Sequence, residues 1–275
     1  EQHERTVDSG ARGSKRLDAI FPGIVACTAG KEPKLQIELA SYDDRIRGEY
    51  IVPDAGLHPG VIVLHDGRGF GEHAVGVAHE LAALGYAALA VDLYSRGRPA
   101  PDIANPDLKA FMRAVPDGQI VRDVQAAIDF LARDRAVRGR PIGLIGYCWG
   151  GACAFLAAAH CTGLAAVASW YGELRTEERN ELHPEHPMDA LLARRCPAIA
   201  FFAELDPYVS LQHVDQLRAL HAEAPRPGDR ALEIVVYPGV GHGFAHRGRD
   251  HFDAPAHDDG WKRINRLFDR ELKRA

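Results

Sequence analysis

Gly146-Tyr-Cys-Trp-Gly-Gly151 is the stretch of sequence that decides the fold of this chain. It follows a short apolar run, residues 141–145, that is typical of a buried strand, and it precedes a run of small residues, 152–160, that is typical of a helix. A strand, a tight turn flanked by glycines and a helix form a nucleophile elbow, here with cysteine in the place of the usual serine. The pattern predicts a strained backbone at Cys148, and it explains why the positions two residues before and after this cysteine are glycine.

The elbow alone leaves two interpretations of Cys148 open. A buried and inert cysteine would fit the same turn, because a free cysteine often packs as a small apolar side chain. A reactive cysteine would gain from the helix that begins at Trp149, since the first N–H groups and the dipole of a helix stabilise a thiolate and an oxyanion. The choice depends on whether the chain also supplies a base and an acid.

Strands and helices alternate along the rest of the chain. We predict strands at residues 35–39, 46–52, 60–65, 86–91, 142–147, 164–171, 198–203 and 231–237. Helical patterns lie between most of them, which predicts a mostly parallel central sheet of about eight strands with helices on both faces. We therefore expect an α/β fold, with an N-terminal arm at residues 1–33 and one domain at residues 34–275.

Composition limits the classes of partner. The chain has 275 residues, and its hydrophobic share of 46% is enough for the core of one large globular domain. A formal net charge of −5 offers no basic surface for nucleic acid, and no apolar run approaches the about 18 residues that a membrane span needs. The five cysteines lack the spacing of a disulfide framework, which favours a reduced, cytoplasmic setting. We expect a monomer or homodimer that acts on a small-molecule substrate, with neither nucleic acid nor a membrane as a partner.

Two further residues supply the chemistry that a nucleophilic cysteine needs. Asp206 follows the strand predicted at 198–203, and His242 lies in a glycine-rich loop after the next strand. The order nucleophile, acid, histidine, with each residue on the loop after its own strand, is that of α/β-hydrolase triads. We therefore predict that Cys148 is the nucleophile, that His242 acts as general base and then as general acid, and that Asp206 orients the histidine. Glu204 is the rival acid, but it lies closer to the end of the strand.

His242, His246 and His251 raise the alternative of a metal site. Their spacing matches no common zinc pattern, and the loop lacks the paired histidine and carboxylate motif of catalytic zinc sites. We expect neither a metal nor another cofactor.

Four segments stand out together: Gly146-Tyr-Cys-Trp-Gly-Gly151, Val91-Asp-Leu-Tyr-Ser-Arg96, Asp206-Pro-Tyr-Val209 and Gly241-His-Gly-Phe-Ala245. They resemble the dienelactone hydrolase family, a cysteine branch of the α/β hydrolases, and the resemblance spans about residues 34–272. It implies the α/β-hydrolase fold and a carboxymethylenebutenolidase-like activity. In such an activity, an acyl-enzyme forms on the nucleophile and a small lactone or ester, such as dienelactone, is hydrolysed.

The resemblance also implies roles for residues around the nucleophile. The family has a glutamate after its third strand that contacts the resting thiol and helps to generate the thiolate when the substrate arrives. Asp66 stands at that position here, one methylene shorter, and is the expected thiol-activating residue. The backbone N–H groups of Gly67 and Trp149 are the expected oxyanion hole.

Members of the family hold the carboxylate of the substrate with two arginines. Arg96 matches the first of them, although an arginine that pairs with an acid on the surface would look the same in the sequence. His246 stands where the second arginine is expected, with Arg247 beside it, and Arg68 could add positive potential. We therefore expect a carboxylate-bearing substrate held by Arg96, Arg68, His246 and Arg247.

Two other functions stay open on the sequence alone. A general carboxylesterase for neutral esters would need no cation in its pocket. A ligand-binding protein on the same scaffold would need no intact triad, because a fold does not guarantee an activity.

Overall fold

The structure is a computed structural model, and it describes residues 24–27, 34–41, 44–96, 107–223 and 231–273. Its strands are β1 (Ile24–Cys27), β2 (Lys34–Ser41), β3 (Asp44–Ile51), β4 (Gly60–Leu64), β5 (Ala87–Asp92), β6 (Ile142–Tyr147), β7 (Leu164–Trp170), β8 (Ala198–Ala203) and β9 (Leu232–Tyr237). Its helices are α1 (Glu72–Ala83), α2 (Leu108–Arg113), α3 (Asp117–Arg133), α4 (Trp149–His160), α5 (Pro187–Ala193), α6 (Leu211–Glu223) and α7 (Ala254–Glu271). None of these helices in the described ranges is long and apolar enough to cross a membrane.

The strands form one nine-stranded sheet in the order β1-β2-β3-β5-β4-β6-β7-β8-β9. From β5 onwards in this order all neighbours are parallel, whereas β1, β2 and β3 pair antiparallel at one edge. Strands β2 to β9 correspond to the predicted strands, and the predicted α/β-hydrolase fold is confirmed. The ninth strand, β1, lies within segment 1–33, where the β-branched residues Ile24 and Val25 favour an extended chain. The rest of the expected N-terminal arm lies outside the described residues.

Apolar residues of the parallel strands divide between the two faces of the sheet. In β4, Val61 and Val63 pack in one core with residues of α1 and α7. Ile62 and Leu64 pack in the other core, with residues of α3, α4, α5 and α6. Because helices cover both faces, a parallel strand is apolar along its whole length. This is why continuous apolar runs in the sequence predicted these strands correctly.

The parallel strands bring the loops that carry the predicted site residues to one edge of the sheet. Asp66 follows β4, Cys148 follows β6, and Asp206 and His242 follow β8 and β9. Since β4, β6, β7, β8 and β9 are neighbours in this order, the loops at their carboxyl ends converge. Helices α2 and α5 lie in the long connections after β5 and β7.

Candidate active site

Cys148 lies at a strained turn between β6 and α4. Its φ of 55° and ψ of −117° are a conformation that residues with a Cβ rarely adopt, as the sequence predicted. Three backbone hydrogen bonds hold it there: its N–H donates to the carbonyl of Trp170 (2.9 Å), and its carbonyl accepts from Gly151 (2.9 Å) and Ala152 (3.1 Å). The sulfur is therefore presented at the N-terminal end of α4.

Two glycines make this sharp turn possible. A Cβ atom at Gly146 would lie 2.0 Å from the carbonyl oxygen of Gly150, and a Cβ atom at Gly150 would lie 2.3 Å from the carbonyl oxygen of His65. Both contacts are with backbone oxygens, so a side chain at either position would force the backbone itself to shift. The first turn of α4 is thus packed directly against the end of β4, and this brings the loop that carries Asp66 next to the elbow.

Cys148, His242 and Asp206 form one hydrogen-bonded path. Nδ1 of His242 lies 2.7 Å from one carboxylate oxygen of Asp206, and Nε2 lies 3.1 Å from the sulfur of Cys148. The side chain of Asp206 is fully buried, and its other oxygen accepts hydrogen bonds from the N–H groups of Tyr208 (2.8 Å) and Val209 (3.1 Å). These bonds fix the carboxylate, so the histidine presents Nε2 to the nucleophile.

Glu204, the rival acid, has a different partner. Its side chain is exposed, and one of its oxygens accepts a hydrogen bond from the backbone N–H of Gly239 (2.8 Å). The N–H of Leu205 also donates to the carbonyl of Val240 (2.9 Å). Glu204 therefore ties the loop after β8 to the loop that carries His242, and it leaves the imidazole to Asp206.

The surroundings of His242 favour its protonated form. Burial lowers the pKa of the imidazole, but the hydrogen bonds with Asp206 and Cys148 and the negative charges of these partners outweigh burial and raise the pKa to about 10. The rings of Tyr171 and Tyr208 pack edge-on against it, with centroids 4.8 and 4.9 Å away. An imidazolium at this place can stabilise a thiolate on Cys148 and can give its proton to a leaving group.

Asp66 is paired with a residue that the sequence analysis missed. One of its carboxylate oxygens accepts from the backbone N–H of Arg68 (2.8 Å), whose side chain is exposed, and the other accepts from the guanidinium of Arg249 (3.1 Å). Within the part of the chain that the structure describes, Asp66 makes no hydrogen bond with Cys148, so the expected contact with the resting thiol is replaced by this ion pair. No motif marks Arg249; the only hint in the sequence is the basic character of the loop after His242.

Arg96 is bonded to an internal acid. Its guanidinium makes hydrogen bonds with the carboxylate of Asp123 (2.5 Å at the shortest) and with the hydroxyl of Ser41 (2.7 Å). The side chain of Arg96 is 12% exposed and that of Asp123 is 1% exposed. The alternative of an arginine that pairs with an acid is therefore the one that the structure shows, although the pair is buried rather than on the surface.

His246 lies beside Asp66 and Arg247 lies beside Glu80, and the two residues do not form the expected second cation clamp. Nε2 of His246 is 4.0 Å from Asp66, and its ring stacks on that of His73 with centroids 3.8 Å apart. Burial lowers the pKa of His246 and lowers the pKa of His73 to about 3, so both rings are held neutral. Arg247 is 61% exposed, and its Nε lies 3.9 Å from Glu80.

His73, His246 and Arg247 help to line a cleft of about 270 Å³. Tyr147, which precedes the nucleophile, also lines this cleft, whereas Cys148, His242 and Asp206 do not. The walls of the cleft come from α1, the end of β6, the loop after β9 and α7: Glu72, His73, Gly76, Val77, Glu80, Tyr147, Ala245, His246, Arg247, His257 and Trp261. Although several of them are histidines, no set of histidine, cysteine and carboxylate side chains among the described residues could hold a metal ion.

The two residues that are expected to supply the oxyanion donors both contact Tyr94. Trp149 is the first residue of α4, so its backbone N–H has no acceptor within the helix. The indole of Trp149 stacks on Tyr94 with centroids 4.8 Å apart, and the hydroxyl of Tyr94 donates to the carbonyl of Gly67 (3.0 Å). A Cβ atom at Gly67 would lie 2.4 Å from the sulfur of Met112 in α2. Tyr94 therefore contacts both Gly67 and Trp149, the residue that follows Cys148.

Known proteins resemble this chain over most of its length. The model of the dienelactone hydrolase family matches residues 46–272. A protein of Methylorubrum extorquens with the name "Putative carboxymethylenebutenolidase" is 31% identical over 217 residues, which are 78% of this chain and 73% of the relative. A protein of Bradyrhizobium sp with the name "Probable 2-oxo-3-(5-oxofuran-2-ylidene)propanoate lactonase" is 28% identical, and the match covers 75% of this chain and 81% of that relative.

A solved structure agrees with these sequence matches. A crystal structure from Klebsiella pneumoniae subsp. pneumoniae, described as a "Putative Dienelactone Hydrolase", has a TM-score of 0.78 and 28% identity, and the match covers 89% of this chain and 98% of that chain. The residues that the family model matches, 46–272, include the elbow and the loops that carry Asp206 and His242. The chain therefore belongs to the dienelactone hydrolase family, a family of α/β hydrolases that act on lactones and esters.

Proposed function

We propose that this chain hydrolyses a small lactone or ester that bears a carboxylate, and that Cys148 is its nucleophile. The observation that carries the proposal is the continuous path from the buried Asp206 through His242 to Cys148, with steps of 2.7 and 3.1 Å. Three separate loops must meet to form such a path, and an inert buried cysteine would need none of them.

The first half-reaction forms an acyl-enzyme. The thiolate of Cys148 attacks the carbonyl carbon of the substrate, and the N–H groups of Gly67 and Trp149 stabilise the oxyanion that results. The carbon–oxygen bond to the leaving alcohol then breaks, and the imidazolium of His242 gives its proton to the departing oxygen. The product is a thioester on Cys148 with a neutral His242. If the substrate is a lactone, the alcohol stays attached to the acyl group and the ring opens.

The second half-reaction returns the enzyme to its first state. Neutral His242 takes a proton from a water molecule while the oxygen of that water attacks the thioester carbonyl. The carbon–sulfur bond breaks, the acid product leaves, and the thiolate and imidazolium are restored. Asp206 stabilises the imidazolium in both half-reactions, because its carboxylate accepts the hydrogen bond from Nδ1.

The carboxylate of the substrate is assigned to Arg249. The side chain of Arg249 is 25% exposed, and its partner Asp66 precedes the expected oxyanion donor Gly67. A guanidinium grips a carboxylate through paired hydrogen bonds, so a substrate carboxylate can take the place of Asp66. Asp66 is then free to contact Cys148, as the family resemblance implies.

Two further observations support this class of substrate. The Bradyrhizobium relative is named for a lactone with a propanoate group, which is a carboxylate. In the chain itself, Arg249 is the cation that the contacts connect to the loop after β4. A neutral ester would leave the Asp66–Arg249 pair undisturbed and would gain nothing from it.

The test compares two matched substrates in the wild-type enzyme and in Cys148→Ala. One is a butenolide with a carboxymethylidene arm, and the other is its methyl ester on that arm. We expect kcat/KM to be at least about 10-fold higher for the free carboxylate, since a hydrogen bond to a charged group contributes about 1.5–3 kcal/mol. Neither lactone ring should be opened by Cys148→Ala. Equal rates for the two substrates would favour a general carboxylesterase, and tight binding without turnover would favour a ligand-binding protein.

A further inference from the structure

His65 lies directly after β4, and its ring is locked between two backbone groups. The residue is 1% exposed. Nε2 accepts a hydrogen bond from the backbone N–H of Leu93 (3.1 Å), and Nδ1 lies 2.7 Å from the carbonyl oxygen of Asp66. A backbone N–H can only donate and a carbonyl can only accept, so the ring must carry its proton on Nδ1 and none on Nε2. His65 is therefore a neutral imidazole of one fixed tautomer.

The carbonyl that His65 holds shares a peptide unit with the N–H of Gly67. A trans peptide is planar, and its C=O and N–H point in opposite directions. The carbonyl of Asp66 accepts from Nδ1 of His65 and also from the N–H of Gly69 (3.0 Å), within a tight turn. With the carbonyl fixed on one side, the N–H of Gly67 is fixed on the other.

The next peptide unit is held by a second side chain. The carbonyl of Gly67 accepts a hydrogen bond from the hydroxyl of Tyr94 (3.0 Å). Glycine has the greatest backbone freedom of any residue, and Gly67 belongs to no helix or strand. Two side-chain hydrogen bonds, from His65 and Tyr94, therefore restrain the two peptide units that meet at Gly67.

The same two side chains also contact the indole of Trp149, whose backbone N–H is the other expected oxyanion donor. The ring centroid of His65 lies 5.0 Å from that of Tyr94 and 5.7 Å from that of the Trp149 indole. The ring of Tyr94 in turn stacks on Trp149. His65, Tyr94 and Trp149 thus form one aromatic cluster, which we call the oxyanion clamp. It links the turn after β4 to the first residue of α4.

We infer that His65 and Tyr94 are positioning residues that hold the N–H of Gly67 towards the oxyanion of the reaction. The inference rests on the proposed hydrolysis through Cys148. If the peptide plane between Asp66 and Gly67 flipped, the carbonyl oxygen of Asp66 would face the developing negative charge in place of the N–H of Gly67. Loss of one oxyanion donor typically lowers kcat by about 100- to 1,000-fold.

The test uses one reaction that forms an oxyanion and one that does not. Hydrolysis of an aryl ester passes through a tetrahedral oxyanion, whereas alkylation of Cys148 by iodoacetamide does not. We expect Tyr94→Phe to lower kcat by about 10-fold or more and His65→Leu by about 100-fold, with little change in KM. The rate of alkylation should change by less than about 3-fold in both variants, because the pair of Cys148 and His242 is untouched.

Two further variants complete the design. His65→Gln keeps one donor and one acceptor and should recover part of the lost kcat, while Tyr50→Phe makes the same chemical change as Tyr94→Phe at a hydroxyl that is bonded to Asp134, away from the site. Tyr50→Phe should leave kcat unchanged. An unchanged kcat in both clamp variants, or an equal fall in hydrolysis and alkylation, would overturn the inference. Full ester hydrolysis by Cys148→Ala would instead overturn the proposed function itself.

Discussion

Arg249 donates a 3.1 Å hydrogen bond to the carboxylate of Asp66, although the two residues lie 183 positions apart in the sequence. Both side chains are partly exposed, at 25% and 17%, so a ligand can reach the pair. The bond joins the loop after β9, which carries His242, to the turn after β4, which carries Gly67. An anionic substrate that binds Arg249 would therefore affect both the loop that carries His242 and the turn that carries Gly67.

The role of Arg249 can be tested by its removal. In Arg249→Ala, we expect kcat/KM for the carboxylated lactone to fall by about 10- to 100-fold, because a charged hydrogen-bond partner is lost. Turnover of the matched methyl ester should change little. Arg247→Ala is the matched control, since Arg247 lies on the same loop and is exposed. Steady-state kinetics with both substrates measure the effect, and an equal loss for both substrates would contradict the assignment.

Arg96 should prove necessary for stability and not for substrate choice. In Arg96→Ala, the buried carboxylate of Asp123 loses its charged partner, although the hydroxyl of Ser41 still donates to it, and the free energy of unfolding should fall by about 3–5 kcal/mol. The ratio of kcat/KM for the carboxylated and neutral substrates should stay the same. Arg45→Ala is the control, because Arg45 pairs with Glu38 in an exposed position and such pairs contribute at most about 1 kcal/mol. Denaturant unfolding measures the change in stability, and steady-state kinetics with the two substrates measure the ratio. An unchanged stability, or a changed ratio, would contradict the prediction.

The pKa of His242 should depend on the nucleophile. Its partners Asp206 and Cys148 outweigh burial and raise the pKa to about 10. In Cys148→Ala, the hydrogen bond and the charge of the sulfur are both absent, so the pKa of His242 should fall. Cys153→Ala, which removes a buried thiol from α4, should not lower it. An NMR titration of the imidazole resonances measures this pKa. An identical pKa in the wild type, Cys148→Ala and Cys153→Ala would contradict the interaction between His242 and Cys148.

The same shift predicts a dependence of stability on pH. A group with a raised pKa binds its proton more tightly in the folded state, so protonated His242 stabilises the fold. This stabilisation is complete below the ordinary pKa of 6.5 and is lost as the pH rises through about 10. The difference in unfolding free energy between the wild type and His242→Gln should therefore shrink between these two values, and a difference that grew would contradict the sign of the shift.

Gly146 should be irreplaceable for a geometric reason. In Gly146→Ala, the new Cβ would lie 2.0 Å from the backbone oxygen of Gly150, so the elbow must open. We expect a loss of about 3 kcal/mol or more in the free energy of unfolding, at the upper end of overpacking effects. Gly76→Ala is the matched control: Gly76 is exposed in α1, its Cβ would meet nothing within 4 Å, and alanine should stabilise the helix by about 0.5–1 kcal/mol.

The hydrogen-bonded path from Asp206 through His242 to Cys148 could be predicted from the sequence, because each of these residues lies on the loop that follows a parallel strand. In a parallel sheet, the end of each strand fixes where the next loop begins, so Asp206 and His242 were identifiable from the strands before them. Arg249 was not, because its partner Asp66 comes from a distant loop and no local pattern links the two residues. The pairing of Arg96 with Asp123 could not be predicted either, since Asp123 is one of several acids on an amphipathic helix.

The oxyanion clamp shows a second limit of sequence patterns. Tyr94 belongs to a segment that resembles the family, but the segment does not reveal that its hydroxyl holds the carbonyl of Gly67. His65 likewise follows an apolar strand, and only the fold shows that both of its ring nitrogens are bonded. Hydrogen bonds between distant loops follow from packing, which local propensity does not encode.

The central claim is that an acyl group becomes attached to Cys148, and mass spectrometry of the quenched reaction tests it most directly. With an activated aryl ester, we expect a mass increase equal to the acyl group on the peptide that contains Cys148. The adduct should persist in His242→Gln, which cannot activate water for deacylation, and it should form normally in Cys153→Ala. It should be absent in Cys148→Ala together with the activity. An adduct on another residue, or hydrolysis at the wild-type rate by Cys148→Ala, would contradict the account.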